Sequence, residues 1–309
     1  MSLTRYLITG GAGNIGSALA LQLSKDVNNQ IVIVDNFLTG SMAKIPKREN
    51  VTFIKANVNS YNDIVPIFGR FNFDYVFHFA AVVGVKRTLE NPMMVLEDIE
   101  GIKNILSLSK NSGVKKVFYS SSSEVYGEPF EIPQNEQTTP LNSRLPYAIV
   151  KNVGEAFFKS YYQEYGLEYT IFRFFNTYGP NQSEDFVIPK FLKAALKNEP
   201  LYIYGDGKQT RSFCFVNDNI ETCIRALNDP KYNNEVINIG SDKEITVLEL
   251  AETIIKVSNS KSIIEHIPAL EEGDMARRCP DTTKMKKILG RELLSLEVGL
   301  KKLMKSYKN

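Results

Sequence analysis

The sequence predicts an α/β fold built on a doubly wound parallel sheet, with a smaller, discontinuous α/β lobe in its second half. Three observations carry this prediction. Short apolar runs alternate with longer stretches of helical spacing through the first half of the chain. The first apolar run ends in Thr9-Gly10-Gly11-Ala12-Gly13-Asn14-Ile15-Gly16, and the second ends in Asp35. From Phe175 onward the alternation gives way to turn-rich segments.

A first strand is expected at 6–8, followed by the glycine-rich turn and a helix over 14–25. Glycines at 10, 13 and 16 let the backbone turn tightly and approach a pyrophosphate held at a helix N-terminus. The second strand, 31–34, delivers Asp35, whose carboxylate can accept hydrogen bonds from both hydroxyls of an adenosine ribose and would repel a 2′-phosphate. A turn without a ligand would account for the glycines but not for strand, glycines, helix, strand and acid in order. The expected cofactor is NAD rather than NADP.

Further strands are expected at 51–54, 75–79, 117–120 and 169–172, with helices near 60–69, 92–111 and 145–165. Ligands of such sheets bind at the carboxyl ends of the strands. Phe79-Ala80-Ala81 and Ser120-Ser121-Ser122-Ser123-Glu124 fall there. Residues 1–174 thus read as an NAD-binding Rossmann domain, to which the chain returns around 213–241. Residues 175–309 are mainly a second lobe closing over the site. It carries a helix over 186–198, the run Leu201-Tyr202-Ile203-Tyr204 closed by Gly205-Asp206-Gly207, and helices near 246–258 and 282–289. The Lys-rich end, 301–308, reads as a solvated helix face.

Composition excludes several classes. The 309 residues carry a net charge of +2 and no basic stripe, so nucleic acid is not an expected partner. Cys214, Cys223 and Cys279 have no paired spacing and read as reduced thiols. His78 and His266 are too few and too far apart to hold a metal. With neither a signal-like segment nor a run of membrane-spanning length, a soluble, cytoplasmic protein is expected.

Tyr147 and Lys151 stand four apart on an expected helix and project from one face. A free tyrosine is a poor base at neutral pH, but an ammonium one turn away favours the phenolate and can also bond the cofactor ribose. A hydroxyl from the serine run could bridge the tyrosine oxygen and a substrate hydroxyl. Spacing alone leaves open which serine, or whether the run only satisfies its own backbone. Glu124 is a candidate second acid or base.

The chain resembles the extended short-chain dehydrogenase/reductase family of nucleotide-sugar epimerases, dehydratases and decarboxylases. The resemblance spans nearly the whole chain through TGGAGNIG, VDNFLTG, FHFAA, SSSEVYGEP, Tyr147 with Lys151, RFFNTYGP, YGDGKQTRSF and RRCPD. It implies that Gly10, Gly13, Asn14, Ile15 and Gly16 hold the NAD pyrophosphate and Asp35 with Asn36 the adenosine ribose. It also implies that Asn57 lies on the adenine side, that Ala80 and Ala81 line the cofactor's path, and that Lys151 binds the nicotinamide ribose. Ser122, Tyr147 and Lys151 would be the catalytic hydroxyl, base and cation. Asn176, Val187, Tyr202, Tyr204, Arg211 and Arg277 would contact a UDP-, GDP-, TDP- or CDP-linked sugar. A homodimer, or a tetramer built from it, is implied through the helices near 92–111 and 145–165. Met94, Ile105, Leu108, Phe157, Phe158, Tyr161 and Tyr162 are the expected apolar faces.

Several positions depart from the family pattern. Asn57 replaces a frequent aspartate, Asp98 a usual asparagine, and Glu271 an arginine whose anion contact Arg277 or Arg278 would take over. Simple 4-epimerases usually carry a small or hydroxyl residue where this chain has Glu124. Dehydratases resembling TDP-glucose 4,6-dehydratase pair Asp with Glu, whereas Ser123-Glu124 matches GDP-mannose dehydratase-like enzymes and UDP-glucuronate decarboxylases. The resemblance implies C4 oxidation to a 4-keto sugar, leaning to dehydration or decarboxylation with Ser123 and Glu124. The alternatives are 4-epimerisation, net 4-oxidation, and an idle NAD-binding regulator.

Overall fold

The computed structural model describes residues 3–128, 130–268 and 277–307. They fall into two compact units. Residues 1–127, 141–174 and 223–237 make the first, and 128–140, 175–222 and 238–309 the second.

The first unit runs β1 (Thr4–Thr9), α1 (Asn14–Leu23), β2 (Asn29–Asp35), β3 (Val51–Lys55), α2 (Tyr61–Arg70), β4 (Tyr75–His78), α3 (Val85–Glu90), α4 (Pro92–Leu96), α5 (Asp98–Asn111), β5 (Lys116–Ser122), α6 (Pro146–Tyr165) and β6 (Glu168–Phe174). The six strands pair parallel in the order β6-β5-β4-β1-β2-β3. A parallel sheet covered on both faces needs strands that are apolar throughout rather than alternating. Leu7-Ile8, Ile31 to Val34, Val76-Phe77, Val117-Phe118 and Ile171-Phe172 meet that need, all buried. Phe77, Phe118 and Phe172 stack across β4, β5 and β6, with ring centroids 4.2 and 5.9 Å apart. The strand order reverses between β1 and β4, and that reversal opens a crevice at the carboxyl edge.

Two expectations need correction here. The helix expected over 92–111 is broken at Glu97 into α4 and α5. At the break the Asp98 carboxylate accepts bonds from the Val82 amide (2.7 Å) and Asn59 Nδ2 (3.3 Å), long-range contacts that local periodicity cannot report. Ile105, Leu108 and Phe158, expected on an outward face, are instead buried in the unit's own core. The apolar side chains that α4 and α6 do expose include Met93, Leu96, Ile149, Tyr162 and Tyr165.

The second unit contains β7 (Thr177–Tyr178), α7 (Val187–Lys197), β8 (Leu201–Tyr204), β9 (Thr210–Ser212) and β10 (Cys214–Phe215). The chain re-enters the first unit within α8 (Val216–Asn228) and leaves it within β11 (Glu235–Ile239), which lies beside β6. The excursion is therefore narrower than 213–241, and residues 128–140 join the second unit although they fall within the span read as the first. β12 (Glu244–Thr246), α9 (Val247–Ser258), β13 (Ile264–Ile267), α10 (Thr283–Leu289) and α11 (Leu296–Ser306) complete it. Its strands form three two-stranded pairs, β10 with β7, β12 with β9 and β13 with β8. Thr246 and Glu249 start α9 with a reciprocal capping box. Among the described residues no helix is long and apolar enough to cross a membrane.

Candidate active site

The glycine turn sits where β1 and β4 diverge. Gly10 has φ +67°, and a Cβ there would lie 2.6 Å from the Ala80 amide nitrogen, so only glycine lets the β1 and β4 loops close on each other. Gly13 caps α1 without a side-chain bond, and no acid lies in its first turn. The amides that open α1 thus face no competing carboxylate of their own helix. Asn14 Oδ1 is buried without a hydrogen-bond partner, an unmet polar atom inside the turn. Ile15 follows it in the first turn of α1.

Asp35 closes β2 almost fully buried. Its Oδ2 accepts from the Ala12 amide at 3.0 Å and its Oδ1 from the Phe37 amide at 2.8 Å. The carboxylate is thereby tied to the glycine turn, with lone pairs left for further donors. Asn36 accepts from the Leu38 amide (2.9 Å) and exposed Asn57 from the Asn59 amide (3.1 Å), each shaping its own loop. The Thr9 hydroxyl accepts from the Phe79 and Ala80 amides and so donates to His78 Nδ1 at 2.9 Å. Burial, then the Lys151 charge, push the His78 pKa down to about 3, so this histidine stays neutral. Ala80 and Ala81 line the same edge, half-buried. The cradle of glycines, the orphan Asn14 oxygen and the anchored Asp35 fit an NAD molecule.

β5 and α6 build the adjoining chemistry. Tyr147, Lys151 and Glu155 stand at i, i+4 and i+8 of α6 and share one face. Lys151 Nζ donates to the Ser120 carbonyl at 2.6 Å and lies 5.8 Å from the centre of the half-buried Tyr147 ring. Burial lowers the Lys151 pKa to about 8, while the charge of Asp98 pulls it back up. Burial likewise raises the Asp98 carboxyl, against the Val82 amide bond and the Lys151 charge. Asp98, at a position where the family usually has asparagine, thus partly offsets the effect of burial on Lys151.

The structure also separates the four serines. Ser120 lies beside Lys151, and the Ser121 hydroxyl is committed to Glu155 Oε1 at 2.6 Å. Ser122 Oγ accepts from the Glu124 amide at 3.2 Å, which leaves its own proton to be donated elsewhere. Ser123 is buried at the start of the 3-10 turn Ser123–Tyr126 that carries half-buried Glu124.

In the second unit the candidate residues are spread out. Asn176 Nδ2 donates to the Ser212 carbonyl at 3.3 Å, and Val187 opens α7. Tyr202 and Tyr204 project outward from β8, whose Leu201 and Ile203 are buried. Tyr202 lines a cavity of about 360 Å³ together with Lys190, Phe191, Ala194 and Leu201. The half-buried Arg211 donates to the Thr210 carbonyl at 2.6 Å. Arg277 grips Glu244, with contacts of 2.6 to 2.9 Å from Nε and Nη2, a partner 33 residues away that no motif indicates. Glu271 lies outside the described residues.

Comparison with known proteins then places the chain. A sequence model described as the NAD dependent epimerase/dehydratase family matches residues 6–240. The chain is 38% identical to a UDP-N-acetyl-alpha-D-glucosaminuronate decarboxylase of Bacillus cytotoxicus, over 98% of each chain. It is 34% identical to UDP-glucuronic acid decarboxylase 6 of Arabidopsis thaliana, over 93% of this chain and 84% of that one. Its structure resembles that of a UDP-glucose 4-epimerase of Thermotoga maritima solved with UDP-glucose, with a TM-score of 0.92, 31% identity and 99% of each chain covered. With three quarters of its length matched, and relatives of full length, the chain belongs to the NAD-dependent epimerase/dehydratase family.

Proposed function

We propose that the protein oxidises a UDP-linked hexuronate at C4 and releases its carboxylate as carbon dioxide. The observation that carries this reading is Glu124, held two residues beyond Ser122 on the turn that ends β5. The first relatives named above, both decarboxylases of UDP-linked uronates, support the choice of substrate class.

In this reading the glycine turn and α1 take the pyrophosphate, Asp35 with Asn36 takes the adenosine ribose, and Lys151 takes the nicotinamide ribose. The chemistry that a bound NAD would supply is reversible acceptance of the C4 hydride. Tyr147, beside the Lys151 ammonium whose charge favours a phenolate, takes the proton of the 4-hydroxyl, and Ser122 donates to the oxygen on which charge collects. The resulting ketone is β to the carboxylate, so the electrons of the breaking carbon–carboxylate bond flow into an enolate at C4. Glu124 then delivers the proton that C5 needs, and Tyr147 returns its proton to the C4 oxygen. Arg277 and Arg211 serve the diphosphate or carboxylate, and Asn176, Val187, Tyr202 and Tyr204 the nucleotide. We place the protein in the cytoplasm as a homodimer, joined through the apolar side chains that α4 and α6 expose.

A second reading, 4-epimerisation, draws on the structural likeness to the Thermotoga enzyme and requires no Glu124. Product mass separates the two. Loss of carbon dioxide from a UDP-hexuronate supports decarboxylation, and an unchanged mass supports epimerisation. Glu124→Gln should form reduced cofactor with substrate yet stall before product. Full turnover in that variant rejects the role given to Glu124.

A further inference from the structure

Glu155 and Arg173 form an ion pair sealed inside the first unit, 1% and 2% exposed. Arg173 Nε and Nη2 donate to the two Glu155 oxygens at 2.8 and 2.7 Å, a two-armed grip. Two further attachments of the pair belong to the segment that carries Ser122 and Glu124. Glu155 Oε1 accepts from the Ser121 hydroxyl at 2.6 Å, and Arg173 Nη1 donates to the Tyr126 hydroxyl at 2.8 Å with the guanidinium 4.9 Å from that ring's centre. Ser121 and Arg173 are also register partners across β5 and β6. Lys159, one turn further along α6, lies 4.0 Å from Glu155 at a largely exposed position.

Stability alone does not account for this arrangement. Desolvating a carboxylate and a guanidinium costs about as much as their attraction returns, and apolar side chains of similar volume would pack at least as stably. What the pair does supply is direction. It pins β5 at Ser121 and the following turn at Tyr126, the residues on either side of Ser122 and Glu124. Between the pins, the Glu124 backbone is held at its amide by Ser122 Oγ and at its carbonyl by the Gly127 amide at 3.1 Å. Glu155 also sits one turn beyond Lys151 on the face that carries Tyr147, so one helix fixes both halves of the chemistry.

We propose that Glu155 and Arg173 are positioning residues that, through Ser121 and Tyr126, hold Ser122 and Glu124 in register with Tyr147. This rests on the role given to Glu124 above. Tyr126→Phe removes one hydroxyl and keeps the ring, and Ser121→Ala removes the other attachment. Each is measured as holoenzyme with a UDP-hexuronate, beside Glu124→Gln. Misplacing a reacting group by a fraction of its working distance lowers turnover without weakening binding, so kcat should fall roughly 10- to 100-fold at unchanged KM. In single turnover, reduced cofactor should form and persist, and the pH dependence of the later step should broaden. If Glu124→Gln stalls while Tyr126→Phe and Ser121→Ala both keep wild-type kcat and pH profile, the clamp is rejected. If Glu124→Gln turns over normally, the Glu124 reading itself fails and the clamp is judged on Ser122 alone: a kcat loss at unchanged KM in both Tyr126→Phe and Ser121→Ala keeps it, and wild-type kcat in both rejects it. A fall in kcat and a rise in KM together in both variants would indicate a structural role and also reject the proposal.

Discussion

In the first unit Lys151, Ser122 and Asp35 each meet a main-chain partner within 3.2 Å, and all three are at least nine-tenths buried. In the second unit Tyr202 and Tyr204 are about 40% exposed, and Arg277 is spent on a carboxylate of its own chain. On the proposed function the difference separates two tasks. Moving a hydride and a proton requires groups fixed before the substrate arrives, since orientation gained in advance is not lost at the moment of reaction. Recognising a nucleotide and sugar leaves room for side chains that rearrange, because binding shifts rotamers more readily than backbone.

Breaking the first unit should give the largest effect. Tyr147→Phe keeps the ring against Lys151 but removes the acid/base, and turnover should fall by ~10²–10⁴-fold. Binding of NAD and nucleotide sugar, read by titration, should stay near wild type. Activity within a few-fold of wild type would reject Tyr147 as the base and weaken the contrast between the two units.

The same contrast explains what the sequence discloses. The glycine turn, Asp35, Tyr147 and Lys151 are legible because each lies at a fixed offset within one strand–turn–helix unit, where local geometry decides which side chains meet. Apolar alternation likewise locates six parallel strands to within a few residues of their ends. The Ser121–Glu155 bond is not legible. Four serines in a row look alike until Glu155, 34 residues on, engages one of them. Glu155 itself carried a signal, its i+4 spacing from Lys151, but Arg173 and Tyr126 did not. The break at Glu97 and the Arg277–Glu244 pair depend on partners brought together by the fold.

A second, intermediate effect tests how the first unit holds its cation. Burial lowers the Lys151 pKa to about 8 and the Asp98 charge opposes that fall. Removing the charge with Asp98→Asn therefore lowers the lysine's pKa further, and the ammonium is lost at a lower pH. The alkaline decline of kcat should move towards acid, leaving activity roughly two- to fivefold lower at about pH 8 and little changed at about pH 6.5. A pH profile that superimposes on wild type would show that Asp98 does not govern the lysine.

The smallest effect belongs to the second unit and sharpens the contrast most directly. Arg277 is half-exposed and doubly bonded to Glu244, which also accepts from the Thr210 hydroxyl at 3.1 Å. The Arg277 bond keeps that carboxyl below the usual glutamate range, so it is charged at neutral pH and cancels the guanidinium facing it. If Arg277 contacts a substrate anion, the incoming group competes with Glu244 for the guanidinium charge, and the internal pair subtracts from binding. Glu244→Gln should then lower KM for the nucleotide sugar by roughly two- to fivefold with kcat unchanged, and the gain should shrink as salt is added. The opposite result, a higher KM, would mean that Glu244 holds Arg277 in its working position. The second unit would then be as preorganised as the first.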